Sequence, residues 1–244
     1  QTFNHMAEQV EAMLLEQKAF ASNASHELRT PLTTIRLRSE ALRDGGLDEP
    51  IARQYIAEID DEVARLGRLV NDLIQLSRFE SGRAELGDEE IDPVRLALSL
   101  YQQLQKTAAA KQITLVLDVP DSLPAIQANQ SHIRIVLQNL LENALKYTPA
   151  GGQVHWSLAL EAGHLRSVVQ DSGIGLAAED IPHLFKRFYR ADKAHTRATG
   201  GAGLGLPLAQ SIVGFYNGRI HIHSDGVGQG TTTTVWWPIA PTHA

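Results

Sequence analysis

Hydrophobic residues follow a helical period over the first part of the chain. Seam positions alternate at spacings of three and four, a pattern typical of a helix that packs along one side: Phe3, Met6, Val10, Met13, Gln17 and Phe20. An apolar stripe at helical spacing continues from Leu28 to Leu42, and Gly45-Gly46 predicts the end of this helix. Because no capping residue opens the seam, we expect residues 1–19 to be the end of a helix that continues from an upstream module.

A second helix is predicted to begin at Asp48-Glu49-Pro50. Its seam again has spacings of three and four and is widened at its edges by further apolar residues: Ile56, Ile59, Val63, Leu66, Val70 and Leu73, with Ile51, Leu69 and Leu76. Two helices alone cannot bury this much apolar surface, so the pattern favours a four-helix bundle made by two copies of the chain. The alternative is a hairpin that packs on the downstream part of the same chain.

The pattern changes to α+β after Ser81-Gly82 and the acidic stretch 88–92. Helices are predicted at 93–111, 131–147 and 205–216, and strands at 113–119, near Ala125, and at 154–160, 165–171, 219–223 and 231–237. We expect antiparallel neighbours and helices on one face of the sheet, which makes a two-layer α/β sandwich. The predicted domains are residues 20–82 and 88–240.

Composition narrows the classes of protein that fit this pattern. The chain has 244 residues and 43% hydrophobic content, which is enough for a substantial core. It contains no apolar run of 18 residues and no signal peptide, so we expect this polypeptide neither to span a membrane nor to be exported by itself. Cysteine is absent, which excludes disulfides, and the net charge of −6 argues against nucleic acid as the main partner.

His26 is the first candidate for chemistry. Stepping about 100° per residue places it about 160° from Leu28, so its ring should face solvent. Glu27 is its neighbour, and Thr30 lies one turn further, close to the same face. A lone exposed histidine is usually an ordinary surface residue. The residues around His26 instead favour a functional role for it. Pro31 removes one helical hydrogen bond and is expected to kink the helix.

The segment SHELRTPLT, residues 25–33, resembles the phosphoacceptor box of bacterial sensor histidine kinases. The resemblance implies that His26 takes the γ-phosphoryl group of ATP and passes it to an aspartate of a response regulator. Glu27 would orient the ring and accept its second proton, and Glu27 with Thr30 resembles the family's Glu-x-x-Thr phosphatase motif. The resemblance also implies a homodimer and an upstream membrane sensor module that this chain lacks. The chain would then be the cytoplasmic portion of an inner-membrane protein.

A second group of residues resembles the nucleotide site of the same family. On the predicted helix 131–147, Asn139, Asn143 and Lys146 fall within about 60° of each other along one edge. By position alone they would be ordinary flanking residues, but NLLENALKY, residues 139–147, resembles the N box. The resemblance implies that Asn143 is the Mg²⁺ ligand and that Asn139, Lys146 and Tyr147 bind ATP. A carboxamide oxygen suits Mg²⁺ when phosphates supply the negative charge.

Three glycine-rich or aromatic segments complete this resemblance. DSGIG, residues 171–175, resembles the G1 box, which implies that Asp171 accepts a hydrogen bond from the adenine amine and that Gly173 and Gly175 lie against the base. LFKRFYR, residues 184–190, resembles the F box and contributes Phe188. GGAGLG, residues 200–205, resembles the G2 box, whose ATP-binding residues would be Gly201, Gly203, Leu204 and Gly205. Residues 191–201 would form a lid over ATP.

Two other functions stay open at the level of sequence. ATPases of the gyrase and chaperone superfamily share this sandwich but activate water with a glutamate, and the corresponding residue here is Asn139. A non-catalytic dimeric adaptor would require damage to one of the boxes, and none is visible. A protein-histidine kinase is therefore the predicted function.

Overall fold

The computed structural model describes residues 2–87, 89–191 and 201–239. The chain divides into two compact units, Gln1–Ile74 and Gln75–Ala244. In the described ranges, no helix is both long enough and apolar enough to cross a membrane.

The first unit is a helical hairpin. Helix α1 spans Thr2–Asp44 and continues through Pro31, and helix α2 spans Glu49–Glu80 and extends into the second unit. Arg38 of α1 joins the two helices, because its guanidinium lies 4.2 Å from the ring centre of Tyr55 and 2.5 Å from the carboxylate of Glu58. The predicted pair of helices is confirmed.

An apolar stripe of α2 is left uncovered within a single chain. Ile56, Val63 and Val70 are 52%, 54% and 43% exposed, although they repeat every seven residues. Leu69, on another side of the same helix, is buried. A regular exposed stripe of β-branched residues on a long helix is a surface that normally meets another helix.

The second unit has the predicted α+β composition. In the described part of this unit the helices are α3 (Pro93–Ala110), α4 (Gln130–Tyr147) and α5 (Gly205–Phe215), with a 3₁₀ turn at Ile181–His183. Its strands are β1 (Glu89–Ile91), β2 (Thr114–Asp118), β3 (Ile126–Ala128), β4 (Gln153–Glu161), β5 (His164–Asp171), β6 (Arg219–His223) and β7 (Thr231–Pro238). Each predicted element is present with ends shifted by a few residues at most.

The sheet corrects two expectations. Among the described residues five strands pair in the order β2-β4-β5-β7-β6, and β2 runs parallel to β4, whereas the other neighbours are antiparallel. Antiparallel pairing was therefore the wrong expectation for β2 and β4, because the intervening β3 and α4 provide the long crossover that a parallel pair requires. Strand β1 was missed. It lies in the acidic stretch expected to be only a boundary, and it pairs antiparallel with β3.

The core lies between one face of this sheet and the helices. Alternate residues of the central strands point into it, with Trp156 of β4 and Trp237 of β7 almost fully buried. The indole N–H of Trp156 donates to the hydroxyl of Ser167 on the neighbouring strand, at 2.9 Å, which satisfies both buried polar groups. The buried stripe of α4, from Ile133 to Leu145, covers this face. The two-layer sandwich is confirmed.

The last turn of α2, from Gln75 onward, packs within this second unit. Leu76 is 1% exposed and Phe79 is 7% exposed. The ring of Phe79 meets His132 of α4 edge-on, with centroids 4.8 Å apart, and Phe215 of α5 at 5.3 Å. Glu80 adds an ion pair with Arg187 at 2.7 Å. These contacts anchor the segment that precedes β1.

Tyr216 contacts His132 and Phe215 of this aromatic cluster. Its phenolic oxygen accepts hydrogen bonds from the backbone amides of Asn129 and Gly87 and lies 2.8 Å from Nδ1 of His132. A neutral imidazole suits this contact, because its Nδ1 can accept the phenolic proton. Burial lowers the pKa of His132, and the nearby carboxylate of Glu89 only partly offsets this effect.

This arrangement predicts a pH-dependent stability. Between the ordinary histidine pKa of about 6.5 and the lower pKa of folded His132, the unfolded chain binds a proton that the folded chain resists. The free energy of unfolding should thus fall as the pH drops below about 6.5, by less than the limit of about 1.4 kcal/mol per pH unit because the ring stays partly solvated.

Urea denaturation between pH 5.5 and 7.5, followed by tryptophan fluorescence, measures this effect, because Trp156, Trp236 and Trp237 all lie in the second unit. His132→Gln should show a smaller loss of stability at low pH than the unmodified chain. The other histidines are the same in both proteins, so the difference between the two curves reports on His132 alone. Identical pH dependence in the two proteins would contradict the assignment.

Candidate functional site

The His26 side chain is exposed on α1, as predicted. The hydroxyl of Thr30 lies one turn further and donates a long 3.4 Å hydrogen bond to the carbonyl oxygen of His26. Ser25 binds the carbonyl of Ala21 in the same way, at 2.8 Å. A bond as long as that of Thr30 is weak, so little free energy is needed to release this hydroxyl toward water.

Glu27 faces α2. Its carboxylate lies 3.5 Å from the guanidinium of Arg65, which also contacts Glu62 at 3.4 Å. These side chains are all partly buried. Arg65 and Glu62 were not predicted as part of this site, because the sequence does not show which face of α2 meets α1. Both ion pairs are long and partly solvated, so the carboxylate of Glu27 is held loosely.

The second cluster is built on one edge of α4. The helix begins after Asn129, whose side chain accepts from the amide of Ser131 at 2.9 Å. Asn139 is half-buried, and its amide group donates to the carbonyl of Ile135 at 3.0 Å. Asn143 follows one turn later and is also half-buried, and the ammonium of Lys146 lies 4.8 Å from the ring centre of Tyr147. Two carboxamides and a cation thus follow one another along this helix.

Glycine loops approach this edge closely. The amide of Ile174 donates to the carbonyl of Tyr147 at 3.1 Å, and a β-carbon at Gly173 would collide with that carbonyl. A β-carbon at Gly205, the first residue of α5, would collide with the side chain of Asn139. Gly201 lies beside Lys146, since a β-carbon there would be 2.9 Å from Nζ. The structure therefore brings the predicted N-box, G1-box and G2-box residues together.

The predicted F-box residue Phe188 joins the same cluster through its backbone. Its amide donates to the carbonyl of Gly203 at 3.0 Å, and its φ of 61° is uncommon for a residue other than glycine. The side chain of Leu204 is buried, so only its backbone is available to a ligand. Residues 192–200, the main part of the predicted lid, lie outside the described residues.

Asp171 ends β5 and is held through one carboxylate oxygen. Its Oδ1 accepts from the amide of Gly173 at 2.8 Å and from that of Thr231 at 3.2 Å. Burial raises the pKa of Asp171, and these two amide hydrogen bonds act in the opposite direction. Among the described residues no group donates to Oδ2. A half-buried carboxylate with one oxygen free is suited to accept from an amine.

The turn between β6 and β7 also belongs to this site, although it was not predicted to do so. The amide of Gly228 donates to the carbonyl of Ile174 at 2.6 Å, and that of Gly230 donates to the carbonyl of Gly173 at 3.1 Å. A β-carbon at Gly230 would collide with the carbonyl of Asp171. The signal in the sequence is a glycine at every second position, 226, 228 and 230, inside a connection too long for a tight hairpin.

The fold and this cluster define a helical hairpin joined to a nucleotide-binding α/β sandwich. Sequence comparison matches residues 16–82 to the His Kinase A (phospho-acceptor) domain. Residues 128–241 match the family described as histidine kinase-, DNA gyrase B-, and HSP90-like ATPase. The chain belongs to the histidine kinase family.

Individual relatives agree with this assignment. The chain is 40% identical over 231 residues to the sensor histidine kinase WalK of Bacillus subtilis. The matched region covers 93% of this chain and 38% of that protein. It is 35% identical over 226 residues to a sensor protein kinase WalK of Staphylococcus aureus, covering 91% of this chain and 54% of the relative. The chain thus spans about half or less of the length of these relatives.

Solved structures show the same fold. The Acinetobacter baumannii histidine kinase AdeS has a TM-score of 0.69 at 25% identity, over 88% of this chain and 98% of that one. Full-length ShkA, solved in complex with AMPPNP, also has a TM-score of 0.69, at 26% identity, over 93% of this chain and 47% of that one. The histidine kinase ThkA, solved in complex with the response regulator protein TrrA, has a TM-score of 0.73 at 19% identity, over 96% of this chain and 65% of that one.

Proposed function

We propose that this chain is an ATP-dependent protein-histidine kinase that phosphorylates His26 and passes the phosphoryl group to an aspartate of a response regulator. The observation that carries this proposal is the combination, in one chain, of an exposed histidine within a phosphoacceptor segment and a cluster of nucleotide-box residues around α4. The ThkA structure, which contains a response regulator protein, supports the choice of partner.

In the proposed reaction a neutral ring nitrogen of His26 attacks the γ-phosphorus of ATP while the bond to the departing ADP breaks. Glu27 then accepts the proton from the other ring nitrogen. In the structure Glu27 faces Arg65 across a long, partly solvated ion pair, so moving the carboxylate to the ring costs little. The task of the protein is mainly to position these groups.

The phosphates of ATP would lie along the edge of α4. Lys146 supplies positive charge. The backbone amides of Gly201 and Gly203 precede helix α5 and that of Gly205 begins it, and an anion is favoured at such a helix start. A half-buried carboxamide on the same edge fits the hard oxygen ligand that Mg²⁺ prefers, so Asn143 would hold the ion. Bound Mg²⁺ would neutralise charge on the phosphates.

His26→Gln should abolish self-labelling and leave nucleotide binding intact, because the substitution removes the nucleophile without touching the second unit. Incubation with radioactive ATP, followed by acid and alkali treatment, measures acid-labile and alkali-stable phosphohistidine. Binding of a fluorescent ATP analogue is measured in parallel. His221→Gln, at another exposed histidine, is the matched control and should label normally. Label retained in His26→Gln would contradict the assignment.

The same assay separates the rival functions. A gyrase-type ATPase would release inorganic phosphate without a stable label, and an adaptor would do neither. Asn139 argues against the ATPase, because its side chain is tied to the carbonyl of Ile135 and packed against Gly205, and a carboxamide is not a base.

We also propose that two copies of the chain form the active unit. The exposed stripe of Ile56, Val63 and Val70 on α2, together with Leu32 exposed on α1, supports a four-helix bundle between copies. A second copy of the chain would bury this stripe, because each copy contributes an identical apolar seam.

Val63→Glu should therefore shift the chain toward monomer, since it places a carboxylate in the seam. Light scattering at micromolar concentration measures the change in mass. Arg68→Glu is the control, because this exposed residue lies about 140° around the helix from Val63 and alters the charge by a larger amount. A monomeric unmodified chain, or dissociation of both variants, would refute the seam as the dimer contact.

A phosphatase activity toward the phosphorylated response regulator is proposed for Thr30. Its hydroxyl is exposed one turn from His26 and is held only by a 3.4 Å bond to the His26 carbonyl. A released hydroxyl at this position is able to orient water against a phosphoaspartate.

Thr30→Ala should keep self-labelling within a few-fold and slow dephosphorylation of the regulator by about ten-fold or more, the scale for losing one positioning group. Thr33→Ala is the matched control, because Thr33 is exposed on the same helix and bonds a carbonyl one turn back at 2.9 Å. A parallel fall in both activities of Thr30→Ala would instead indicate that Thr30 supports the helix.

We also propose a division of the chain into three functional segments. We assign residues 1–19 to a signal-relay helix, 20–82 to dimerisation and phosphotransfer, and 88–240 to ATP binding. Because the WalK relatives are named sensor kinases and are longer than this chain, we propose that it is the cytoplasmic portion of an inner-membrane sensor protein. Membrane fractionation of the full-length protein tests this location.

A further inference from the structure

The hydroxyl of Ser224 connects three backbone segments at the Asp171 end of the site. It donates to the carbonyl of Gly230 at 2.6 Å and accepts from the amide of Leu176 at 3.0 Å. The amide of Gly226 lies further away, at 3.4 Å, on the same oxygen. The single hydroxyl proton has a second, longer acceptor in the carbonyl of Gly226, at 3.2 Å, and the bond to Gly230 is the shorter of the two. Ser224 thus ties both ends of the β6–β7 turn to the loop after β5.

The two segments that Ser224 joins are the two that hold Asp171. Leu176 belongs to the same loop as Gly173, whose amide donates to Oδ1 of Asp171. Gly230 precedes Thr231, whose amide donates to the same oxygen. The direct link between Gly230 and Gly173, at 3.1 Å, closes the ring of contacts. Ser224 therefore fixes the separation of the two amides that orient this carboxylate.

Oδ1 of Asp171 has two donors and Oδ2 has none among the described residues. A carboxylate held in this way presents one oxygen in a fixed direction. In a partly buried setting a small rotation of the acceptor weakens a hydrogen bond strongly, because the bond depends steeply on its angle. The geometry of the amide pair thus controls how well Oδ2 meets a donor.

We propose that Ser224 is a positioning residue for nucleobase recognition, which acts through the Gly173 and Thr231 amides to orient Asp171 toward the exocyclic amine of a 6-aminopurine. This inference rests on the proposed nucleotide site and adds a residue to it. Ser224 itself does not touch the nucleotide.

Binding of two nucleotides to the full chain tests the proposal. The first is ATP, and the second is purine ribonucleoside triphosphate, which lacks only the exocyclic amine. The unmodified chain should prefer ATP by about ten-fold or more, the scale of one hydrogen bond to a charged group. Ser224→Ala should weaken ATP binding by about the same factor and change binding of the second nucleotide less than two-fold. The ratio is measured on one folded preparation, so partial unfolding does not alter it.

Two further variants separate positioning from general support of the loop. Ser172→Ala is the matched control, because this neighbour of Asp171 uses its hydroxyl to accept from the Gln153 amide and should keep the preference. Asp171→Asn should lose the preference, and adding Ser224→Ala to it should cause no further loss, because the effect runs through the carboxylate.

Equal weakening of both nucleotides in Ser224→Ala would overturn the proposal, as would an unchanged ratio or an additive effect in the double variant. No preference for ATP in the unmodified chain would overturn it as well. Self-labelling of His26 is scored separately, because its absence would contradict the kinase function while the nucleotide ratio still reports on Ser224.

Discussion

The burial of one face of α4 against the sheet is the constraint on which the rest of the second unit depends. Its apolar stripe is almost completely removed from solvent, so the rotation of the helix about its axis is fixed. That rotation places Asn139, Asn143 and Lys146 along the helix edge that the glycine loops approach. The ends of the helix are fixed as well, by Asn129 at its start and by the bond from Ile174 to Tyr147 at its end. The site is thus a consequence of core packing.

The start of α4 also contributes to the stability of the second unit. Asn129 and Gly87 donate to Tyr216, Tyr216 binds His132, and His132 packs against Phe79 from the last turn of α2. A buried hydroxyl that satisfies two amides and an imidazole is costly to disturb, because each lost partner leaves a buried polar group unpaired. This explains why the compact second unit begins at Gln75, before the glycine and acidic residues that mark a boundary in the sequence.

Local periodicity predicted the helices and strands of this protein well, because the residues that face the core recur every 3.6 residues in a helix and every two residues in a strand. Contacts between segments that are distant in the sequence were harder to predict. The parallel pairing of β2 with β4, the short strand β1 and the ion pair of Arg65 with Glu27 depend on which elements meet, and the sequence alone does not show this. The turn from Ser224 to Gly230 was missed for the same reason. Its alternating glycines indicate an irregular turn, but only the fold shows that the turn closes on Asp171.

The polar surroundings of His26 follow from Pro31. Proline has no N–H, so the carbonyl of Glu27 loses its usual helical partner, four residues on. The same turn of α1 exposes the imidazole of His26 and the hydroxyl of Thr30, whereas the Glu27 carboxylate faces Arg65 of α2. Pro31 thus leaves one backbone acceptor in the turn that carries these two exposed side chains, while helix α1 itself continues through it.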